Sequence, residues 1–431
     1  MSNEINTIQN FVKLSYSDFI VKNKGFSKEK INEIGEKLIS PSQEILFSQD
    51  MAKKHLQEFL VPELLKNNKF NCGIYADDTG RKFEYFYKHI YKAPCVEQKH
   101  ELYIKIATSN SATRIKDILK ILLKDLSLLQ GFQTTLVLCV NNSLDNTFSN
   151  VLDCVSWIPF DVILFYIHPD QFYGFHKRQS IATANNLIYQ HISTKCTNQP
   201  KFWVGMDDDI QLGENSYSKI GLLIENLQNL VLAGGPLSVN PQDPKNSNTT
   251  YLLSVHKFPE IIQESPCRPF AYGAFYAMQF KDYIPVPTDI PIPNDVFYSL
   301  AIAGKHINEM TKKNYHNGKW PVSTIAKASF IHIGKVSLYE WIQSKQGILL
   351  SRLDMKEYLG NYYRHLSSSQ NFYFMKYWIA IRYIIKNRFG FDSIEFASHI
   401  YLYYYLLPKL IEFWRDKYGF FDSPYPALVN D

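Results

Sequence analysis

Three consecutive carboxylates, Asp207-Asp208-Asp209, follow the apolar run Phe202–Met206 and precede Ile210. Side chains alternate along an extended segment, so Asp207 and Asp209 face one way and Asp208 the other. Like charges aimed at one place repel, and either a cation or a raised pKa must relieve them. Carboxylate oxygens are hard donors that suit Mg2+ or Mn2+, and a diphosphate would complete the coordination shell. An Asp triplet in a loop is usually a solvated turn. This one is fed by a short apolar strand, which favours a metal and a phosphorylated ligand.

Two further clusters carry charge at the start of helical patterns. His176-Lys177-Arg178 opens one of them. Basic side chains oppose the helix dipole there, and an anion nearby would account for them, as would simple solvation. Asn294-Asp295 opens another, where either residue caps a helix and Asp295 also offers an ionised carboxylate for proton transfer. Asp77-Asp78, ahead of Gly80, reads as a surface turn.

The elements that must position these residues alternate in type. Short apolar runs at Leu102–Thr108, Thr134–Val140, Val162–His168 and Phe202–Met206 read as strands, and Ser111–Leu129 and His176–His191 carry amphipathic helical spacing. That order predicts a mostly parallel sheet covered by helices, right-handed crossovers, and a ligand crevice beyond the strand C-termini. Asn110, Asn141, Asn142, His168, Asp170 and the acidic run stand at those ends. Further strands are expected at Val231–Val239, Tyr251–His256 and Ala271–Phe280, and a helix at Asp295–Ala303. Residues 1–98 read as a helical N-terminal extension without strands, with helical spacing in Lys28–Leu38 and Met51–Asn67. Residues 99–345 read as the catalytic domain, and 346–431 as an aromatic helical C-terminal region.

Composition narrows the classes. The chain has 431 residues, 45% hydrophobic and 20% charged, which is ordinary for a globular protein with a sizeable core. A net charge of +5, spread along the chain, excludes nucleic acid as the default partner. The six cysteines form no CxxC pair, so neither a zinc knuckle nor a disulfide framework is expected. The N-terminal stretch does not read as a secretory signal, and a cytoplasmic location is expected. The nearest approach to a membrane span, Ile400–Trp414, is broken by Pro408, Lys409 and Glu412. Lys376, Arg382, Lys386 and Arg388 among aromatic residues fit a peripheral membrane contact.

With the acidic run at the end of the fourth strand of a βα series, residues 102–334 resemble a GT-A glycosyltransferase, most similar to the inverting family 2. The resemblance implies a Rossmann-like α/β fold with a mixed sheet, a nucleotide-sugar donor with UDP favoured, and Mn2+ or Mg2+ as cofactor. Asp207-Asp208-Asp209 stands where that family keeps its D-x-D motif. By the resemblance Asp209 holds the metal, Asp207 shares it, and Asp208 faces the donor. Val140 to Thr147 is similar to the segment that surrounds the nucleotide base, with Asn141-Asn142 in place of an acidic pair and Asp145 in an Asp-x-Thr. An asparagine carbonyl accepts the N3 hydrogen of uracil, while its amide donates to other bases.

The same resemblance makes Thr108, Asn110, Arg114, Lys177, Arg178 and Asn185 donor contacts. It makes His332, in the apolar run Ser329–Gly334, a further metal ligand, although a lone histidine there also reads as a core residue. Tyr272, Gly273 and Asn294 fall on the acceptor side, and Asp295 becomes the general base, with Asn294 replacing the first acid of the Glu-Asp motif. The acceptor, whether glycan, lipid-linked or protein, is not legible. No Q-x-x-R-W motif occurs, so a single transfer is expected rather than a processive one. Two rivals stand beside this reading. One is a sugar-phosphate nucleotidyltransferase, whose glycine- and basic-rich first loop is replaced here by Ser109 to Arg114; the other is a catalytically silent nucleotide-sugar-binding protein.

Overall fold

The computed structural model describes residues 60–92, 100–172, 177–195, 202–212, 216–236, 271, 273–289, 294, 297–299, 301–302 and 322–332. A short helix, α1 (Val61–Asn67), takes Pro62 in its first turn and buries Val61 and Leu65. A hairpin follows, β1 (Asn71–Ala76) and β2 (Lys82–Ile90), in which Tyr75, Phe83 and Tyr85 are buried while intervening polar residues are not. The expectation of no strand before residue 98 is corrected here. Lys-Phe-Glu-Tyr-Phe-Tyr-Lys alternates with period two, and its charged positions disguise it as polar helix or loop.

The parallel centre comprises β3 (His100–Thr108), β4 (Phe132–Asn141), β5 (Asp161–Ile167) and β6 (Phe202–Asp207), close to the four expected strands. Between them run α2 (Ile115–Leu126), α3 (Thr147–Val155) and α4 (Lys177–Lys195). The helix α3 was not expected. Its nine residues are short for a periodicity signal, and only Phe148, Val151, Cys154 and Val155 mark its apolar face. Then come β7 (Ile210–Gln211), α5 (Lys219–Asn226), β8 (Leu232–Gly234), β9 (Phe275–Gln279), β10 (Val322–Thr324) and β11 (Ile331–His332). Positions 294, 297–299 and 301–302 are helical, in keeping with the helix expected from residue 295. Tyr251–His256, residues 237–239, Lys28–Leu38 and everything beyond Gln346 lie outside the described residues.

Among the described residues, nine strands form one mixed sheet in the order β1-β2-β5-β4-β3-β6-β9-β8-β10, and β7 pairs with β11 in a separate ribbon. The strands β5, β4, β3 and β6 are mutually parallel. The hairpin joins antiparallel to β5, and β9 joins antiparallel to β6. The architecture is therefore α/β with a mixed sheet, as expected. On one face α2, α3 and α5 bury Ile118, Leu122, Val151 and Leu223 against Ile104, Ile106 and Leu138. On the other, α4 buries Ala184, Leu187, Ile188 and Ile192 against Tyr103, Val137 and Trp203.

Two contacts between distant elements lock the frame. Asp125, at the end of α2, accepts from Ser218 Oγ at 2.8 Å and from the Lys219 backbone N–H at 2.8 Å, satisfying the first turn of α5. Gly205 lies opposite Tyr276 across the β6–β9 pair, and the phenol ring occupies the space where a β-carbon would sit.

Candidate active site

The strand order turns on β3. From β3 the chain moves outward to β4 and β5, then crosses back to place β6 on the other side of β3. The C-terminal ends of β3 and β6 thus border the crevice where open α/β sheets bind ligands. Ala107 of β3 is paired with Asp207 of β6, so the acidic run and the segment after Thr108 leave the sheet side by side.

Asp208 is bound to that segment. Its Oδ2 accepts from Thr108 Oγ1 at 2.6 Å, from the Ser109 backbone N–H at 3.2 Å and from Ser111 Oγ in a very short contact. Arg114 donates from Nε to the Asp208 carbonyl at 3.1 Å and brings a terminal nitrogen to 3.6 Å from Oδ1. Asp208, Thr108 and Arg114, all expected at the donor, are here partners of one another. Asp207 is exposed at the strand end, and Asp209 is half-buried in the turn. Register places His332 directly opposite Ile210, the residue after Asp209. No cluster of three or more His, Cys, Asp or Glu side chains among the described residues is arranged to hold a metal ion.

The exits of β3 and β4 are stitched together. Asn110 and Asn142 both adopt left-handed backbone, with φ of 49° and 50°, a conformation asparagine tolerates better than most residues. Asn110 Oδ1 accepts from the Leu144 N–H at 2.8 Å, and Ser109 Oγ donates to the Asn142 carbonyl at 2.8 Å. Asp145 accepts from Ser143 Oγ at 2.9 Å, the Thr147 N–H at 3.0 Å and the Ala112 N–H at 3.0 Å. Its carboxylate therefore caps α3 and holds the neighbouring loop. Asn141 differs, because it is 1% exposed and its Oδ1 has no hydrogen-bond partner. A buried amide oxygen without a donor costs free energy unless something arrives to satisfy it.

Lys177 begins α4, and Arg178 beside it is half-buried. Asn185 lies beneath the crevice, 2% exposed, and accepts from Lys105 Nζ at 2.7 Å. Lys105 itself was not singled out from the sequence. The available signal was a lysine inside the apolar run Leu102–Thr108, where a charge is costly to bury. It is buried in the middle of β3, where desolvation lowers its pKa and the charge of Asp207 opposes that shift. Asn186, also unforeseen, pins the segment after β9 by donating to the Val286 carbonyl at 2.7 Å and accepting from the Tyr283 hydroxyl at 2.8 Å.

Of the residues expected on an acceptor side, Gly273 forms the turn into β9, and Asn294 has a buried Oδ1 without a hydrogen-bond partner. Tyr272 and Asp295 lie outside the described residues. Asp77 and Asp78 stand in the turn between β1 and β2, as expected, and there they also accept from the buried Thr288 hydroxyl, at 2.9 Å for Asp77 and in a very short contact for Asp78. They anchor the hairpin to the segment that leads toward Asn294. No helix among the described residues is long and apolar enough to cross a membrane.

No protein-family model matches the chain, and no curated protein matches its sequence. Solved structures align with the chain. A mannosyltransferase from Pyrobaculum calidifontis, in complex with GDP-Man and Mn2+, aligns at 12% identity and TM-score 0.42, over 88% of this chain and 92% of its own. TarS from S. aureus, in complex with UDP, aligns at 12% identity and TM-score 0.34, over 63% of this chain and 73% of its own. Glucosyl-3-phosphoglycerate synthase from Mycobacterium tuberculosis, in complex with Mn2+, UDP and phosphoglyceric acid, aligns at 11% identity and TM-score 0.32, over 58% of this chain and 77% of its own. At these values the likeness transfers no activity.

Proposed function

We propose that this chain is a metal-dependent glycosyltransferase of the GT-A type, moving a sugar from a nucleotide-sugar donor, with UDP-sugar favoured, to an acceptor hydroxyl with inversion. The observation that carries the reading is the acidic run at the exit of β6, paired beside the exit of β3 at the point where the strand order reverses. The orphaned Asn141 Oδ1, at the exit of the adjoining strand, supports a ligand that brings an N–H donor, as a nucleotide base does.

Asp207, Asp209 and His332 are the residues that would hold Mn2+ or Mg2+. Such a cation supplies charge neutralisation at the departing diphosphate. Asp208 orders the β3 exit on the donor side, and Arg114 adds positive charge to the same rim. Lys177 and Arg178, at the start of α4, add more where phosphate oxygens would lie. Asp295 would accept the acceptor proton as the new bond forms on the face opposite the leaving group. The protein is read as working in the cytoplasm, with peripheral contact at the membrane.

A thermal-shift and calorimetric screen of nucleoside diphosphates and nucleotide sugars, with and without Mn2+, tests the reading. Metal-dependent binding of UDP or GDP, followed by sugar release or transfer, is the expected result. Equal affinity in chelator and in Mn2+ would overturn it.

A further inference from the structure

Lys105 and Arg114 place two positive charges against an acidic run that is read above as a cation site. Lys105 shares a sheet face with Gly205, its partner in the β3–β6 ladder, and therefore with Asp207, two residues further along β6. Lys105 is 4% exposed, and its ammonium is held by the Asn185 side-chain carbonyl at 2.7 Å. The Tyr276 ring, lying over Gly205, closes the same space from the β9 side. Arg114 meets Asp208 from the opposite rim at 3.6 Å. Two of the three carboxylates thus have a resident basic group beside them, and one of those groups is shielded from water.

Resting on the glycosyltransferase reading, we infer that Lys105 is a positioning and charge-balancing residue that keeps the affinity of the site for a bare divalent cation low, so that metal enters as its nucleoside diphosphate complex. Two mutually reinforcing consequences follow from the charges. Without ligand, the ammonium relieves repulsion within the acidic run and holds Asp207 in place. Against a lone Mn2+, the same buried ammonium is a like charge on the same face of the sheet. The diphosphate reverses that balance, because its own negative charge is attracted to Lys105 and Arg114 as well as to the metal.

The test is calorimetry of the full chain with MnCl2 alone, and with MnCl2 plus UDP or GDP. It compares the parent with Lys105→Gln, which retains an N–H donor for Asn185 but removes the charge. The parent should bind Mn2+ alone weakly, with Kd about millimolar, and Lys105→Gln should bind it about tenfold more tightly. If Lys105→Gln does not fold, Lys105→Met combined with Asn185→Leu, which removes both buried polar partners, is titrated instead and read in the same way. Unchanged Mn2+ affinity in a folded variant overturns the inference. Tight binding of Mn2+ alone by the parent also overturns it while leaving the glycosyltransferase reading intact. Loss of all metal-dependent nucleotide binding in the parent overturns both.

Discussion

Thr108 Oγ1, at the end of β3, donates to Asp208 Oδ2, at the turn after β6, over 2.6 Å and a sequence separation of 100 residues. This bond, with those from Ser109 and Ser111, makes the middle carboxylate of the acidic run a clasp between the two strands that border the crevice.

Asp208→Ala should therefore act on architecture first. It strips the acceptor from buried donors, a loss of about 1–3 kcal/mol, and leaves Arg114 without its carboxylate partner. The expected outcome is a lower Tm together with weaker nucleotide binding, whereas Asp208→Asn, which keeps one acceptor oxygen, should recover part of the Tm. An unchanged melting curve for Asp208→Ala would show that the clasp does not hold the two exits together.

Asp209→Ala should remove the metal dependence of nucleotide affinity with little effect on folding, since Asp209 lies half-buried in the turn beyond the strand. Titrating UDP or GDP in Mn2+ and in chelator gives the comparison. Retention of the parental difference would move the metal to other residues.

Asp295→Asn should melt like the parent and bind donor like it, yet turn over about 100- to 10,000-fold more slowly, the usual contribution of a general base. Asparagine keeps the size and much of the capping ability of aspartate while losing its basicity. A single-turnover rate at saturating donor decides the point. A parental rate would reduce Asp295 to a helix cap and send the search for the base elsewhere.

Acid should destabilise the protein through a histidine pair remote from the acidic run. His89 of β2 and His191 of α4 meet nitrogen to nitrogen at 3.2 Å, and Tyr85 OH lies 3.0 Å from the far nitrogen of His191. Burial lowers the His89 pKa from 6.5, so in this region the unfolded chain binds more protons than the folded one. Stability should then be at its full value above the ordinary pKa of 6.5 and fall as the pH drops through that value toward the lower folded one. Melting curves between about pH 8 and pH 5 should show this loss. It should shrink in His89→Gln, and an identical pH slope in that variant would remove the pair from the explanation.

Much of this molecule is legible locally. The apolar runs 102–108, 134–140, 162–168 and 202–206 are too continuous for half-exposed strands, and the helical spacing between them leaves a parallel, doubly covered sheet as the arrangement that buries both faces. The acidic run belongs to the same class of information, because a charged triplet directly after such a strand must emerge at the sheet's C-terminal edge. What the sequence could not apportion was partnership. Alternation sets Asp208 apart from Asp207 and Asp209 in direction but names no partner for any of them; only the crossover that sets β6 beside β3 gives Asp208 to Thr108 and Arg114, and brings Lys105 onto the face of Asp207. The hairpin 71–90 was hidden for the same reason. Its charged positions are tolerable in a strand only because tertiary pairing with β5 satisfies the backbone and buries Phe83 and Tyr85 on one face. Periodicity is a property of neighbours along the chain, whereas hydrogen-bond partners and compensating charges are chosen among residues a hundred positions apart, and the fold alone makes that choice.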